Sequence, residues 1–141
     1  VYTTGNHKVY LNGELINDSS YLQGSLTIGS ALMRMGEIDH CCIIDPTSPQ
    51  YYKGDMDEIR IWHAARTQQE IQNTMSTQLS GSESGLVYYA KMDEGTGQTF
   101  ADSSGGGNNG TIGHNTSVAN TDPVWITYEP YDRNTQGDYV I

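Results

Sequence analysis

Between Tyr51 and Gln72 the hydrophobic period of the chain changes once, and that change limits what it can fold into. Met56, Glu58, Arg60 and Trp62 alternate with Asp57, Ile59 and Ile61, the period of two that a strand with one face on a core requires. Ile59 and Ile61 are the expected inward pair. Past Ala64 and Ala65 the rule switches. Thr67 followed three residues on by Glu70 is a capping box, in which the hydroxyl accepts one orphan N–H of a new helix and the carboxylate another. Ile71, Met75 and Leu79 then recur at every fourth position, an apolar stripe for a short helix near residues 68–78.

The rest of the pattern is β-type. Lys8–Ile16 reads as a hairpin, because Asn12-Gly13 supplies the two positive-φ residues of a type I′ turn between apolar runs. Leu86–Met92 is a nearly continuous apolar run, the signature of a buried strand. Val124–Tyr128 alternates between Pro123 and Pro130 and is expected as a strand, with Tyr139–Ile141 a short last one. Ser80–Gly85 is a polar, Gly-rich connector. Sixteen Gly, ten Tyr and a single Phe in 141 residues fit a turn-rich all-β chain of one domain's length.

The formal net charge of −10 argues against nucleic acid and anionic membranes, which need clustered Lys and Arg. It leaves two readings open, simple solubility or carboxylates that bind calcium. Cys41 and Cys42 are adjacent, so they are expected as two thiols rather than a strained vicinal disulfide. The chain starts at Val1 and shows no signal-peptide, transmembrane or lipidation pattern, as expected of a processed or excised piece.

Gly54-Asp55-Met56-Asp57-Glu58-Ile59-Arg60-Ile61-Trp62, then Ala65-Arg66-Thr67 and Glu70-Ile71, resembles the "G-x-I-D-E-V-R-I-W-N-x-A-x-S/T-x-x-E-I" signature near the end of laminin-G-like domains. These are concanavalin A-like, pentraxin-related jelly rolls. Met56 stands where Ile is usual and His63 where Asn is. Lys8–Leu15 is similar to that family's "k-V-Y-l-N-G-x-l" hairpin, and Gly24–Gly29 to the "g-x-l-x-I-G" strand after it. Residues 1–80 therefore resemble the back half of such a domain. After the connector at 81–85, residues 86–141 hold Gly85–Gly97, Ala101–Gly105 and Asn108–Ile112, which resemble the family's opening, with Met92 for the usual Phe and Gly106 for the first Asn. Either the chain is cut across tandem repeats, or the trailing segment folds back beside Asp57–Trp62. The resemblance implies an antiparallel β-sandwich, one laminin-G-like unit or a piece of one, from a secreted or cell-surface protein.

Candidate site residues follow. Tyr51 and Tyr52, at a loop exit, are the expected aromatic platform for a ligand; Tyr88, Tyr89, Trp125 and Tyr128 are expected mostly in cores or on strand faces. Asp93, Asp102 and Asn108, with Glu94 and Asn109 beside them, are the candidate calcium ligands, hard oxygens on flexible turns. The alternative is that Asp102 caps its own Ser-Ser-Gly turn. Asp57 is a candidate partner for Arg60 or Arg66. Glu37 and Asp39 resemble part of the alternating acid motif of β-glucanases, but Cys41 stands at the third acid position, so no catalytic residue is assigned. His40, Cys41, Cys42 and His63 lack the spaced pairs of a zinc site.

The function expected is a non-catalytic adhesion module binding glycan or protein, with calcium as its candidate cofactor and no membrane insertion. The alternative is a structural repeat or filament subunit that completes its sandwich by strand exchange, and a β-glucan hydrolase ranks behind both.

Overall fold

Asn12 and Gly13 both take positive φ, 52° and 78°, so the hairpin turns as their sequence requires. In the computed structural model, residues 2–3, 6–19, 33–36, 52–113, 117–119 and 122–126 are described. Strands β1 (Tyr2–Thr3), β2 (Asn6–Leu11) and β3 (Glu14–Ser19) form an antiparallel sheet in that order. The register passes from Val9↔Asn17 to Tyr10↔Leu15 and so leaves Ile16 unpaired in a bulge, 60% exposed.

Strand β4 (Ile59–Trp62) leads to helix α1 (Gln68–Thr74), and β5 (Leu86–Ala90) returns antiparallel to β4. The segment that resembles a domain opening thus lies beside the Asp-Glu-Ile-Arg-Ile-Trp strand, the pairing that the fold-back alternative describes. Short strands β6 (Thr99–Phe100) and β7 (Gly110–Thr111) form a third antiparallel pair. The class is the one expected, antiparallel all-β with one short helix.

Three local expectations need correction. Strand β4 has no single inward face, since all four of its residues are half-buried. The face that carries Arg60 and Trp62 is covered by polar contacts: the Arg66 guanidinium lies 4.2 Å over the Trp62 ring, and Arg60 reaches the end of α1. The helix stops at Thr74 rather than near residue 78. Thr77 N closes the end by donating to Thr74 O at 3.2 Å, and Arg60 donates to the carbonyls of Thr74 at 2.7 Å and Thr77 at 2.5 Å. Met75 becomes an exposed cap, and Leu79 enters the core from beyond the helix. Val124–Ile126 is not a strand. Trp125 is held instead by its indole N–H, which donates to the Gly97 carbonyl at 2.8 Å.

The capping box forms as written: Thr67 Oγ1 accepts from Glu70 N at 3.2 Å, and Glu70 Oε2 accepts from Thr67 N at 2.8 Å. Glu70 also pairs with Arg66, and Glu58, not Asp57, is the carboxylate on Arg60. Hydrogen bonds from Thr67 hold the Glu70 carboxyl below its ordinary range. Thr67 is the N-cap of α1, so Thr67→Ala should destabilise the fold by about 1 kcal/mol, read as a lower urea midpoint with unchanged slope.

The core among the described residues is Leu79, Tyr88, Tyr89, Ala90 and Phe100, with Asp102 buried beside them. Tyr89 is fully buried and is its hub. Its hydroxyl donates to the Glu58 carboxylate at 2.7 Å and accepts from Leu79 N at 3.1 Å, while Arg60 lies 5.5 Å from its ring centre. Glu58 reaches it from a positive φ of 53°, a conformation that costs a non-glycine residue about 1 kcal/mol. Burial first, and then the bond to Glu58, push the Tyr89 phenol up to about 12. With an unfolded value of about 10, the stability tied to its protonated form is complete below pH 10 and lost as pH rises towards 12. Urea melts across that window should show a steep alkaline loss that is shallower in Tyr89→Phe.

Two units are distinguished, 1–23 with 56–141, and 24–55. The connector Ser80–Gly85 lies within the first and is folded. Glu83 accepts from Ser80 N at 2.8 Å and Gly81 N at 3.0 Å. A Cβ on Gly81, at φ +93°, would run into the Ser103 carbonyl, so glycine is required there. In the second unit, Tyr52 N donates to Gly36 O at 2.8 Å. The expected strands at 24–29 and 139–141, the Glu37–Asp39 acids, His40, Cys41, Cys42, Tyr51 and Tyr128 lie outside the described residues.

Candidate functional site

Tyr52, expected as a ligand platform, is 40% exposed. Its hydroxyl donates to Asp55 O at 3.3 Å, and its ring lies so close over Gly54 that a Cβ there would meet Tyr52 Cζ at 2.7 Å. One face of the ring is therefore spent on its own turn.

The structure brings two of the three candidate calcium ligands together, Asp102 and Asn108, and leaves Asp93 exposed. Asp102 is bridged to Ala90 across the edge of β5, where its carboxylate stands in for a strand carbonyl. Oδ1 accepts from Tyr89 N at 3.2 Å, Ser104 N at 3.0 Å and Ser104 Oγ at 2.6 Å. Oδ2 accepts from Asn108 N at 3.0 Å and Asn108 Nδ2 at 3.4 Å. Asn109 Oδ1 in turn accepts from Asp102 N at 2.9 Å. Burial pushes the Asp102 carboxyl up, but the bonds from Ser104, Asn108 and Tyr89 outweigh it and hold the group down at about 2.

This arrangement does not fit a calcium ion. A carboxylate offers about four lone-pair sites, and five donors already converge on this one. Asn108 turns its N–H2 to Asp102, whereas a cation would need its oxygen. Glu94 Oε1 accepts from Ala101 N at 2.7 Å, and its Oε2 is shielded without a partner. Among the described residues, no group of three or more His, Cys, Asp or Glu is placed to hold a metal ion.

A concave site lies elsewhere, in the first unit. Gly97 and Gln98 form one side of a pocket of about 220 Å³, and Val118, Ala119, Asp122, Pro123, Val124 and Trp125 form the rest. Trp125 is half-buried, while Val118 and Val124 at the rim are 81% and 80% exposed. Ala119 and Asp122 close a tight turn: Asp122 N donates to Ala119 O at 3.0 Å, and Asp122 Oδ2 accepts from Ala119 N at 2.8 Å. Gln98 Oε1 is shielded from solvent and has no hydrogen-bond partner. The sequence offered Trp125 only as one aromatic among several. Gln98 and Asp122 carry no sequence signal, because they meet from separate segments.

Among the described residues no helix is long and apolar enough to cross a membrane. A family model, of laminin G type and described as the concanavalin A-like lectin/glucanases superfamily, matches residues 1–72, just over half of the chain. No curated protein and no solved structure matches it. The Trp125 pocket lies beyond the matched residues.

Proposed function

The chain belongs to the concanavalin A-like lectin/glucanases superfamily, and on that premise we propose that it is a non-catalytic carbohydrate- or protein-binding module of a secreted or cell-surface protein. The supporting observation is the Trp125 pocket, a small, open and mostly apolar hollow of about 220 Å³ with few polar groups. Glycoside hydrolysis by paired acids needs two carboxyl groups flanking the bond. Among the described residues of the pocket Asp122 alone has a carboxylate, and it already accepts from Ala119. The donors crowded on Asp102 support binding without calcium at that loop, so adding calcium or a chelator should leave the melting temperature of the chain unchanged.

The test is a screen of the whole chain against immobilised glycans and extracellular matrix proteins, run beside a hydrolysis assay on β-glucans. Saturable binding without turnover upholds the module, and turnover overturns it. A second reading, a structural subunit that exchanges strands, is favoured by the exposed Val9, Leu11, Leu15 and Ile16 on the β2–β3 hairpin. Mass that grows with concentration in sedimentation would select it.

A further inference from the structure

We propose that the β1–β3 sheet is an arm, latched to α1 through the turn at Gly13 and Glu14, that opens as a unit while the body of β4, α1 and β5 stays folded. The inference stands on that contact alone and holds whether the chain is a binding module or a strand-exchanging subunit.

The arm buries little of itself. On β3 the residues from Glu14 to Asp18 are all exposed. The register puts Val9 and Leu11 on the face that carries Glu14, and Tyr10 and Leu15 on the other. Val9, Leu11 and Leu15 are exposed, so neither face of the ribbon is closed against a core. A ribbon without a buried face is marginally stable in water. In sequence the arm ends at Ser19 and β4 begins only at Ile59, so no short connection ties one to the other.

The latch itself is specific. Gln68 and Gln72 stand one turn apart on the same face of α1. Gln72 Nε2 donates to Gly13 O and to Glu14 Oε1, both at 3.0 Å, and Gln68 Nε2 donates to Glu14 Oε2 at 3.1 Å. Each carboxylate oxygen thus takes one donor, and a bond to a charged acceptor is stronger than a neutral one. Shape closes the same contact. Gly13 is buried between exposed neighbours, and a Cβ on it would meet Gln72 Cγ at 2.8 Å and Met75 Sδ at 3.1 Å.

The body is held by other means. Tyr89 is fully buried, and its hydroxyl joins Glu58, just before β4, to Leu79, beyond α1. None of these bonds passes through the latch. A region with few buried apolar contacts opens at a lower free energy than a core of this kind.

The experiment is native-state hydrogen exchange of the full chain in rising, sub-denaturing urea. The β2–β3 amides should exchange faster than those of β5, and with a weaker urea dependence, because opening the arm exposes less surface than unfolding the chain. Gln68→Ala/Gln72→Ala should speed β2–β3 exchange about tenfold or more, through the loss of the bonds to Gly13 and Glu14. Alanine is the best helix former, so α1 itself is not weakened by the change. Gln69→Ala is the control: Gln69 bonds Asn73 within α1, and its loss should leave the arm unchanged. If β2–β3 and β5 exchange together with one urea dependence, the arm does not open alone and the proposal is overturned. If the double variant speeds the arm no more than Gln69→Ala does, the latch is not at α1. If the double variant loses β5 protection altogether, the contact belongs to the body, which also overturns the proposal.

Discussion

Asp102→Ala should cost the fold about 3–5 kcal/mol, a large share of the 5–15 kcal/mol typical of a domain. The reason is what remains after the carboxylate is gone. The N–H groups of Tyr89, Ser104 and Asn108 lose their acceptor together, and each buried donor left unmade costs about 1–3 kcal/mol. Partial solvation of the turn keeps the total below the simple sum. Asp102→Asn keeps the shape but loses the charge and one acceptor oxygen, so its cost should lie between wild type and Asp102→Ala. The pH dependence follows from the carboxyl held at about 2. Its unfolded value is about 3.9, so the folded value is depressed. The contribution is therefore complete above pH 4 and lost as pH falls towards 2. A shift of this size corresponds to about 2 kcal/mol, less what solvent removes at the open side of the turn. Urea melts from pH 5 to pH 2 should show that loss in wild type and a shallower one in Asp102→Asn.

Arg60→Met should cost about 3–5 kcal/mol, the penalty for leaving one member of a buried ion pair alone. The pair is well enclosed, with side-chain exposures of 12% for Arg60 and 15% for Glu58. Its removal also takes one donor from the carbonyls of Thr74 and Thr77, of which Thr74 O keeps Thr77 N and Oγ1, and so loosens the end of α1. A double-mutant cycle with Glu58→Gln separates the two effects. If the ion pair dominates, the double variant should be little worse than Arg60→Met. If the helix end dominates, the two costs should add. Loss of helical circular dichroism in Arg60→Met alone would point to the helix end.

Much of the local structure was legible in the residues. Asn12-Gly13, the Thr67–Glu70 box and the apolar run from Leu86 each act through neighbours in the chain, so the turn, the helix start and the strand could be read without knowing the fold. The family match over residues 1–72 rests on the same kind of pattern. Where the helix stops was not legible. Thr77 folds back on Thr74 O through its N–H and hydroxyl, and Arg60, which adds a third donor there, lies fourteen residues upstream on another strand. Asp102 shows the limit from the other side. Its sequence allowed a calcium ligand or a turn cap, and the donors that complete the cap, Tyr89 N from β5 and Asn108 from the far side of the loop, are not legible in it. The candidate site was the least legible. Gln98, Asp122 and Trp125 are ordinary residues in sequence and form a pocket only because Val118, Ala119 and residues 122–125 lie beside Gly97. Sequence alone determined the elements whose causes lie within a few residues. The tertiary structure decided the partners of Arg60 and Asp102 and the pocket, because their hydrogen bonds and walls come from segments that the fold alone brings together.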